Sequence, residues 1–282
     1  MISDRDTNII YFSERLKTDL RFSETCEQII ETLKSFGIIP RFLPDTKDIW
    51  ARDYMPIQVS RNRFIEYRYD PDYLQGKWKG CRDLKTYPDV VCDSIELPTE
   101  KSDIILDGGN VVKSKNCVIL TDKVVIENRL SYSKSELVKQ LEKIFKVENI
   151  VLIPWDKKEK FGHSDGVLRF ISDNKVLVNG IYENDTKLRN RLKQNGLDFE
   201  FLRFKVNRKD KRNWAYINFL QTKDLILLPK FDIDEDEQAL EQIKTHYPNY
   251  AENGRIAQID MTKIVKFGGA FNCISWTIKD WE

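Results

Sequence analysis

Gly108-Gly109-Asn110-Val111-Val112, followed after Lys113-Ser114-Lys115-Asn116 by Cys117-Val118-Ile119-Leu120, is the stretch that decides how the chain folds. Two short apolar runs rich in β-branched residues, separated by polar ones, predict two strands. Lys134 to Phe145 then carries Leu137, Leu141 and Ile144 on one helical face, with Ser133 or Ser135 available as its cap. Ile150-Val151-Leu152-Ile153 is extended again. The unit reads strand, strand, helix, strand.

Downstream the order recurs. Gly166 to Phe170 and Lys175 to Val178 predict a hairpin around Asp173-Asn174, followed by a helix over Thr186 to Lys193, a stop at Gly196 and an extended Phe199 to Leu202. A third copy begins at Trp214, with extended Ala215 to Leu220 and Leu225 to Leu228, a helix from Asp234 to Lys244, and extended Arg255 to Ile259. Two flanking pieces fit the plan: a helix around Ile29 to Leu33 with a strand over Ile38 to Leu43, and Ile264-Val265 leading as a strand into the loop that carries Cys273. Polar residues that a core normally refuses stand at one phase of this repeat: Asp53, Asp107, His163 with Asp165, Asn218 and Cys273, at intervals of 54, 56, 55 and 55 residues. Five repeats arranged radially bring such positions to one centre, where a pocket forms. Gly108-Gly109 and Gly268-Gly269 suit the close backbone approach of a crowded axis. The expected architecture is α/β, five repeated ββαβ units in one domain spanning 1–282, with Asp70 to Asp89 and Asn207 to Arg212 as surface loops.

Composition removes several function classes. The 282 residues carry 46 Lys+Arg against 45 Asp+Glu, so no global field recommends nucleic acid or an anionic membrane as partner. The hydrophobic fraction of 41% excludes a disordered chain. Cys26, Cys81, Cys92, Cys117 and Cys273 are scattered and odd in number, which speaks against a disulfide framework or a structural zinc. The acidic start Asp4-Arg5-Asp6 is unlike a secretory leader and no long apolar run occurs, so the expected setting is the reducing cytoplasm.

At the predicted centre the residue types suggest covalent catalysis by a thiolate. Four of the cysteines read as small buried hydrophobes, whereas Cys273 follows Gly268-Gly269-Ala270-Phe271-Asn272 in a loop. Of two histidines, His246 stands at a helix end before Pro248, and His163 lies in the turn Gly162-His163-Ser164-Asp165-Gly166, where a general acid/base fits. A metal site would need a second histidine nearby or a carboxylate at helical spacing, and neither is there. Asp53, in Trp50-Ala51-Arg52-Asp53-Tyr54-Met55-Pro56, could by itself be a cap or the partner of Arg52. With Asp165 at the same centre, two carboxylates would face one pocket, and buried anions need a cation between them. A planar cation with several N–H donors matches them best, so the expected substrate is a guanidinium compound, with Trp50 as a flat wall.

These motifs, together with Leu106-Asp107-Gly108-Gly109-Asn110 and Ala215-Tyr216-Ile217-Asn218-Phe219, resemble in order and spacing those of the agmatine deiminase and bacterial peptidylarginine deiminase family, from about Trp50 to the carboxyl end. That family belongs to the guanidino-group-modifying pentein superfamily, whose fold is a five-bladed α/β propeller. The resemblance implies Cys273 as nucleophile, His163 as acid/base, Asp53 and Asp165 as the guanidinium clamp, Asn218 as a pocket-lining residue, and Asp107, where the family often has Glu, as a residue that orients the histidine and borders the substrate. Three positions depart from the pattern: Ala270 replaces a glycine, Asn272 a histidine, and Met55 the glycine before the proline.

The reaction implied is deimination of a small guanidine, agmatine before a peptidyl arginine, to a ureido product and ammonia, with no metal or organic cofactor. Three alternatives use the same residues: a peptidylarginine deiminase, an amidinotransferase that passes the amidino carbon to an amine, and a guanidine-binding protein without turnover. An acyl hydrolase fits less well, because pocket carboxylates repel a developing oxyanion. The oligomeric state is not readable from the sequence.

Overall fold

The computed structural model of the chain describes residues 1–76 and 82–280; Cys81 lies outside them. Its strands are β1 (Ile9–Ser13), β2 (Arg41–Leu43), β3 (Ile57–Ser60), β4 (Arg63–Arg68), β5 (Glu100–Ile105), β6 (Val112–Lys113), β7 (Cys117–Thr121), β8 (Asn149–Ile153), β9 (Leu168–Ser172), β10 (Lys175–Asn179), β11 (Asp198–Leu202), β12 (Leu220–Gln221), β13 (Ile226–Lys230), β14 (Ile256–Asp260) and β15 (Ser275–Ile278). They form five three-stranded sheets of one design: β3-β4-β5, β6-β7-β8, β9-β10-β11, β12-β13-β14 and β15-β1-β2. In each, the first strand is antiparallel to the second and the second parallel to the third, with helix between the parallel pair. The fifth unit is completed by both ends of the chain, with Ile9 opposite Ile278 and Phe12 opposite Ser275.

Local chemistry explains the elements. The helix Lys134–Phe145 starts at a capping box, in which Ser133 Oγ accepts from Glu136 N and the Glu136 carboxylate accepts from Ser133 N. It buries Leu137, Leu141 and Phe145, so the face is turned slightly from the one expected, and Ile144 is only half-buried. The hairpin at Asp173-Asn174 forms as read, and Asp185 caps the helix Thr186–Gln194 by accepting from Lys187 N and Leu188 N. Three expectations are corrected. Ala215 to Leu220 is not extended: Asn213–Ile217 is a 3-10 turn and only Leu220–Gln221 pairs, because a run buried on every side carries no period to tell strand from helix. The strand expected over Ile38 to Leu43 is confined to Arg41–Leu43. Ile264-Val265 is helical, within Thr262–Val265, and Cys273 sits in the short helix Phe271–Ile274 that precedes β15, not in a loop following a strand.

Those short helical turns recur. Ala51–Tyr54, Gly108–Asn110, Ser164–Gly166, Asn213–Ile217 and Phe271–Ile274 each stand before the first strand of a unit, and each is buried among its equivalents. Segment 70–89 contains the 3-10 turns Asp72–Leu74 and Arg82–Leu84 and the start of the helix Pro88–Ser94. No helix among the described residues is long and apolar enough to cross a membrane.

Candidate active site

The five turns contact one another in a closed ring. Gly109 N donates to Asp53 Oδ1 at 3.2 Å, and His163 Nε2 lies 2.9 Å from Asp107 Oδ2. Asn218 Nδ2 donates to Asp165 Oδ2 at 3.0 Å, and Cys273 N donates to Asn218 Oδ1 at 3.2 Å. Arg52 Nε closes the circle on the Asn272 carbonyl at 3.3 Å. Every residue singled out by the 55-residue spacing is therefore at one place. Asn218 joins two units, since its amide also accepts from Ala270 N and its own carbonyl accepts from Asn272 N.

Two glycines hold the histidine. Gly162 has φ +72, a conformation that side chains disfavour, and a Cβ there would meet Lys123 and the Trp155 indole. Its N–H donates to the Glu159 carboxylate and its carbonyl accepts from Thr121 Oγ1, which fixes where His163 departs from the chain. A Cβ on Gly109 would lie 2.5 Å from Asp53 Oδ1 and 2.6 Å from His163 Nδ1. Both atoms would have to move. Gly109→Ala is accordingly expected to lower kcat by about a hundredfold through displacement of the imidazole, with only a few degrees lost in Tm; kcat alongside a melting curve checks it, and an unchanged kcat contradicts this packing.

Asp53 does not pair with Arg52. The Arg52 guanidinium turns to Asp4, with Nη1 3.7 Å from Oδ1, while the Asp53 carboxylate faces Gly109 and lies 3.6 Å from His163 Nδ1. Tyr67 donates its hydroxyl to the Asp53 carbonyl and so pins the turn. The short side chain of Asp107 does reach the histidine, and Tyr73 donates to the same Asp107 oxygen at 3.2 Å. Asp165 Oδ2 accepts from Asn218, from Asn272 Nδ2 at 2.6 Å, and from the Cys273 thiol at 3.7 Å. Asn272, a departure from the family motif, thus holds the carboxylate that faces the thiol.

Charge is out of balance here. Burial pushes Asp53 up to about 8, with Asp107, Asp165 and Asp48 adding to the effect and His163 opposing it. Burial alone would lower His163, but Asp53, the Asp107 hydrogen bond and Asp165 outweigh it and raise the imidazole to about 10. The Cys273 thiol is raised well above its usual range, first by burial and then by Asp165 and Asp53. Two acceptors, Asp107 Oδ1 and Asn272 Oδ1, are buried without a partner. An acid-rich site with two acceptors still free can accept hydrogen bonds from the N–H groups of a cation.

His163, Asp165, Asn218 and Cys273 open into a cavity of about 660 Å³. A model of the Porphyromonas-type peptidyl-arginine deiminase family matches residues 15–278 of this chain. The chain belongs to that family.

Members of this family are hydrolases of the C–N bonds of amidines, and the likeness to individual relatives is distant but spans the chain. A curated sequence from Enterococcus faecalis, provisionally named an agmatine deiminase, is 24% identical over 279 residues, covering 81% of this chain and 74% of its own length. The solved agmatine deiminase of Enterococcus faecalis superposes with a TM-score of 0.76 at 17% identity, covering 100% of this chain and 96% of its own. The agmatine deiminase of C. jejuni gives 0.75 at 17%, again covering 100% and 96%. The fold of this deiminase-family chain is thereby that of the pentein enzymes.

In this member of the family the aromatic wall differs from the one expected. Trp50 packs against the core and lies over Gly269, beside Cys273, and it is absent from the residues that line the cavity. Phe161, Tyr182 and Trp214 line it instead. Phe161 stacks edge-on with Tyr73 at 5.0 Å and lies 5.9 Å from the His163 ring. Sequence reading missed Tyr73, Phe161 and the Arg52 tie. For Tyr73 and Phe161 no motif signals the contact, whereas the repeat itself, by closing on Asn272, could have pointed to Arg52. Cys26 and Cys117 are buried in the apolar cores away from the cavity, and burial raises them to about 11 and about 12. Among the described residues no group of three or more His, Cys, Asp or Glu is arranged to hold a metal ion.

Proposed function

We propose that the chain hydrolyses a guanidino compound, agmatine to N-carbamoylputrescine and ammonia in the first instance, through a covalent intermediate on Cys273. The reading is carried by one observation: a thiol, an imidazole and carboxylates delivered by separate repeats meet at one buried place, from which His163, Asp165 and Cys273 line the cavity while Asp53 and Asp107 stand behind it. Asp53 and Asp165 hold the planar cation, and Asp107 keeps the His163 ring oriented. In the resting site the thiol keeps its proton. Arrival of the guanidinium supplies the positive charge that favours the thiolate beside Asp165, and the thiol proton leaves to solvent.

The sulfur then bonds to the guanidinium carbon, and the resulting tetrahedral centre expels one nitrogen as ammonia after His163 protonates it. A thiouronium remains on Cys273. His163, now neutral, takes a proton from water, whose oxygen adds to the same carbon. Collapse breaks the C–S bond, the hydroxyl proton passes to the departing sulfur, and the ureido product leaves the resting thiol behind.

The titration pattern gives a pH profile. A carboxylate must be ionised to grip a cation, so kcat/KM is expected to rise as Asp53 loses its proton at about 8 and to fall as His163 loses its own at about 10. The guanidinium stays charged throughout. A bell between those limits is expected from initial rates on agmatine at constant ionic strength; a maximum below neutrality contradicts the assignment. The activity itself is tested by incubating the protein with agmatine, arginine, and peptides bearing internal or terminal arginine. Ammonia with a ureido product supports hydrolysis, a new guanidine formed in the presence of an acceptor amine identifies transfer, and calorimetric binding without product identifies a guanidine-binding protein.

A further inference from the structure

Asp107 meets His163 through one oxygen, and that oxygen is shared. His163 Nε2 lies 2.9 Å from Asp107 Oδ2, the Tyr73 hydroxyl donates to the same atom at 3.2 Å, and Oδ1 is buried without a partner. Among the described residues no other side chain donates to this carboxylate. A phenol that points the positive end of its O–H bond at the oxygen steadying an imidazolium makes that oxygen a poorer acceptor for it.

Tyr73 is held in that place from several sides. Its ring meets Phe161 edge-on at 5.0 Å and lies 6.2 Å from the imidazole. The Lys123 ammonium is 5.3 Å from the ring centroid, within the range at which a π face attracts a cation. Lys123 is 1% exposed and begins the helix Lys123–Glu127. Its Nζ bonds Glu127 at 2.7 Å and pairs at 3.1 Å with Asp72, the residue before Tyr73. The 3-10 turn Asp72–Leu74 is therefore tied to a second unit, and the tie delivers Tyr73 to Asp107.

The other charges in this neighbourhood mostly favour a proton on His163. Asp53 and Asp107 face the imidazole from two neighbouring turns and Asp165 from its own, and all three raise it. Around Asp107 stand Lys123 and Glu127, Asp53, and the hydroxyl groups of Tyr67 and Tyr69. Lys123 is the cation of that group, and Glu127 and Asp72 take up its charge. Tyr73 stays protonated, since burial and then Asp107 push its hydroxyl well above the usual range. An acid/base residue must release a proton as readily as it holds one, and three acids around it work against release.

We propose that Tyr73 is a positioning residue whose hydroxyl, acting through the shared Oδ2 of Asp107, fixes that carboxylate on His163 and lowers the proton affinity of the imidazole. The consequence for turnover rests on the acid/base role given to His163 above. The effect on the imidazole does not, and it can be measured without any substrate.

The test titrates the imidazole directly. The chain has two histidines, His163 and His246, so NMR of their ring C–H groups against pH, assigned with His246→Gln, follows each one in the full-length protein. Tyr73→Phe keeps the ring and its contacts with Phe161 and Lys123. Removing the hydroxyl is expected to move the His163 midpoint upward by about half a pH unit or more, the scale of one hydrogen bond. His246, which faces Glu200 and Lys175, should stay where it is. Tyr73→Leu, without ring or hydroxyl, should also raise His163. With agmatine, Tyr73→Phe should lower kcat about threefold, because a weaker acid protonates the leaving nitrogen more slowly. A raised His163 midpoint in a protein that turns over no agmatine would remove the proposed reaction and leave this inference standing. A His163 midpoint unchanged or lowered in Tyr73→Phe, a shift confined to Tyr73→Leu, or an equal shift at His246 overturns it.

Discussion

Cys273→Ala is expected to abolish ammonia release from agmatine, with kcat/KM falling about ten-thousand-fold or more, because the covalent route closes when its nucleophile is removed. The fold should survive. The thiol is buried and approaches Asp165 at 3.7 Å, and the Asn218 bonds that fix the turn come from the backbone N–H groups of Ala270 and Cys273. Truncating one sulfur costs about 1 kcal/mol in a packed site. The variant should still bind agmatine, since the carboxylates remain, and calorimetry on it reads the clamp without the chemistry. Parental ammonia release from a folded Cys273→Ala protein would remove the covalent route altogether.

The second large effect is at the imidazole. His163→Gln is expected to lower kcat by about 10²- to 10⁴-fold, the usual scale of a lost general acid/base. Glutamine is chosen because its amide can still donate to Asp107, whose carboxylate otherwise loses the 2.9 Å bond that His163 supplies. A mere loss of structure would also lower the rate, so the pH profile is the sharper readout. The limb falling above about 10 belongs to His163 and should vanish, while the limb near 8, set by Asp53, should move upward, because the imidazolium that favours the Asp53 carboxylate is gone. An alkaline limb that persists in His163→Gln assigns that proton to another group.

Much of this was legible in the sequence, for reasons that can be named. The helix Lys134–Phe145 announces itself through a candidate serine cap and a 3.6-residue apolar stripe, and its bounds in the structure are those read from the sequence, with Ser133 as the cap. The five polar positions were legible because a core rejects Asp, Asn and His unless something needs them, and their spacing survived the variable loops between. The limits were equally physical. Ala215 to Leu220 is buried on every face, so its 3-10 turn had no pattern to betray it. Trp50 was expected at the pocket wall because aromatic rings suit cations, but Gly269 lets its ring settle over the Cys273 turn. Asn272 read as a loss because the family pattern has a histidine there; only the geometry reveals that its amide, 2.6 Å from Asp165, takes over a carboxylate-holding task. Gln58, Lys113, Arg169, Gln221 and Thr277 obey the same period and went unread because lysine and arginine normally imply surface.

The same ring of contacts explains why scattered residues act together. Asp165 touches three groups from two other units, and Asn218 links it to the turn carrying the thiol, so a change at any one of these is felt at the sulfur.

The central claim is that the sulfur of Cys273 bonds to the guanidinium carbon. It is tested most directly by quenching the wild-type protein in acid during turnover of agmatine and measuring the mass of the tryptic peptide from Phe267 to Lys279, which holds Cys273 and no other cysteine. A peptide heavier by agmatine less one ammonia, absent when His163→Gln is incubated without substrate, is the predicted result. Steady ureido production with that peptide unmodified at every quench time, and with Cys273→Ala equally active, would contradict it.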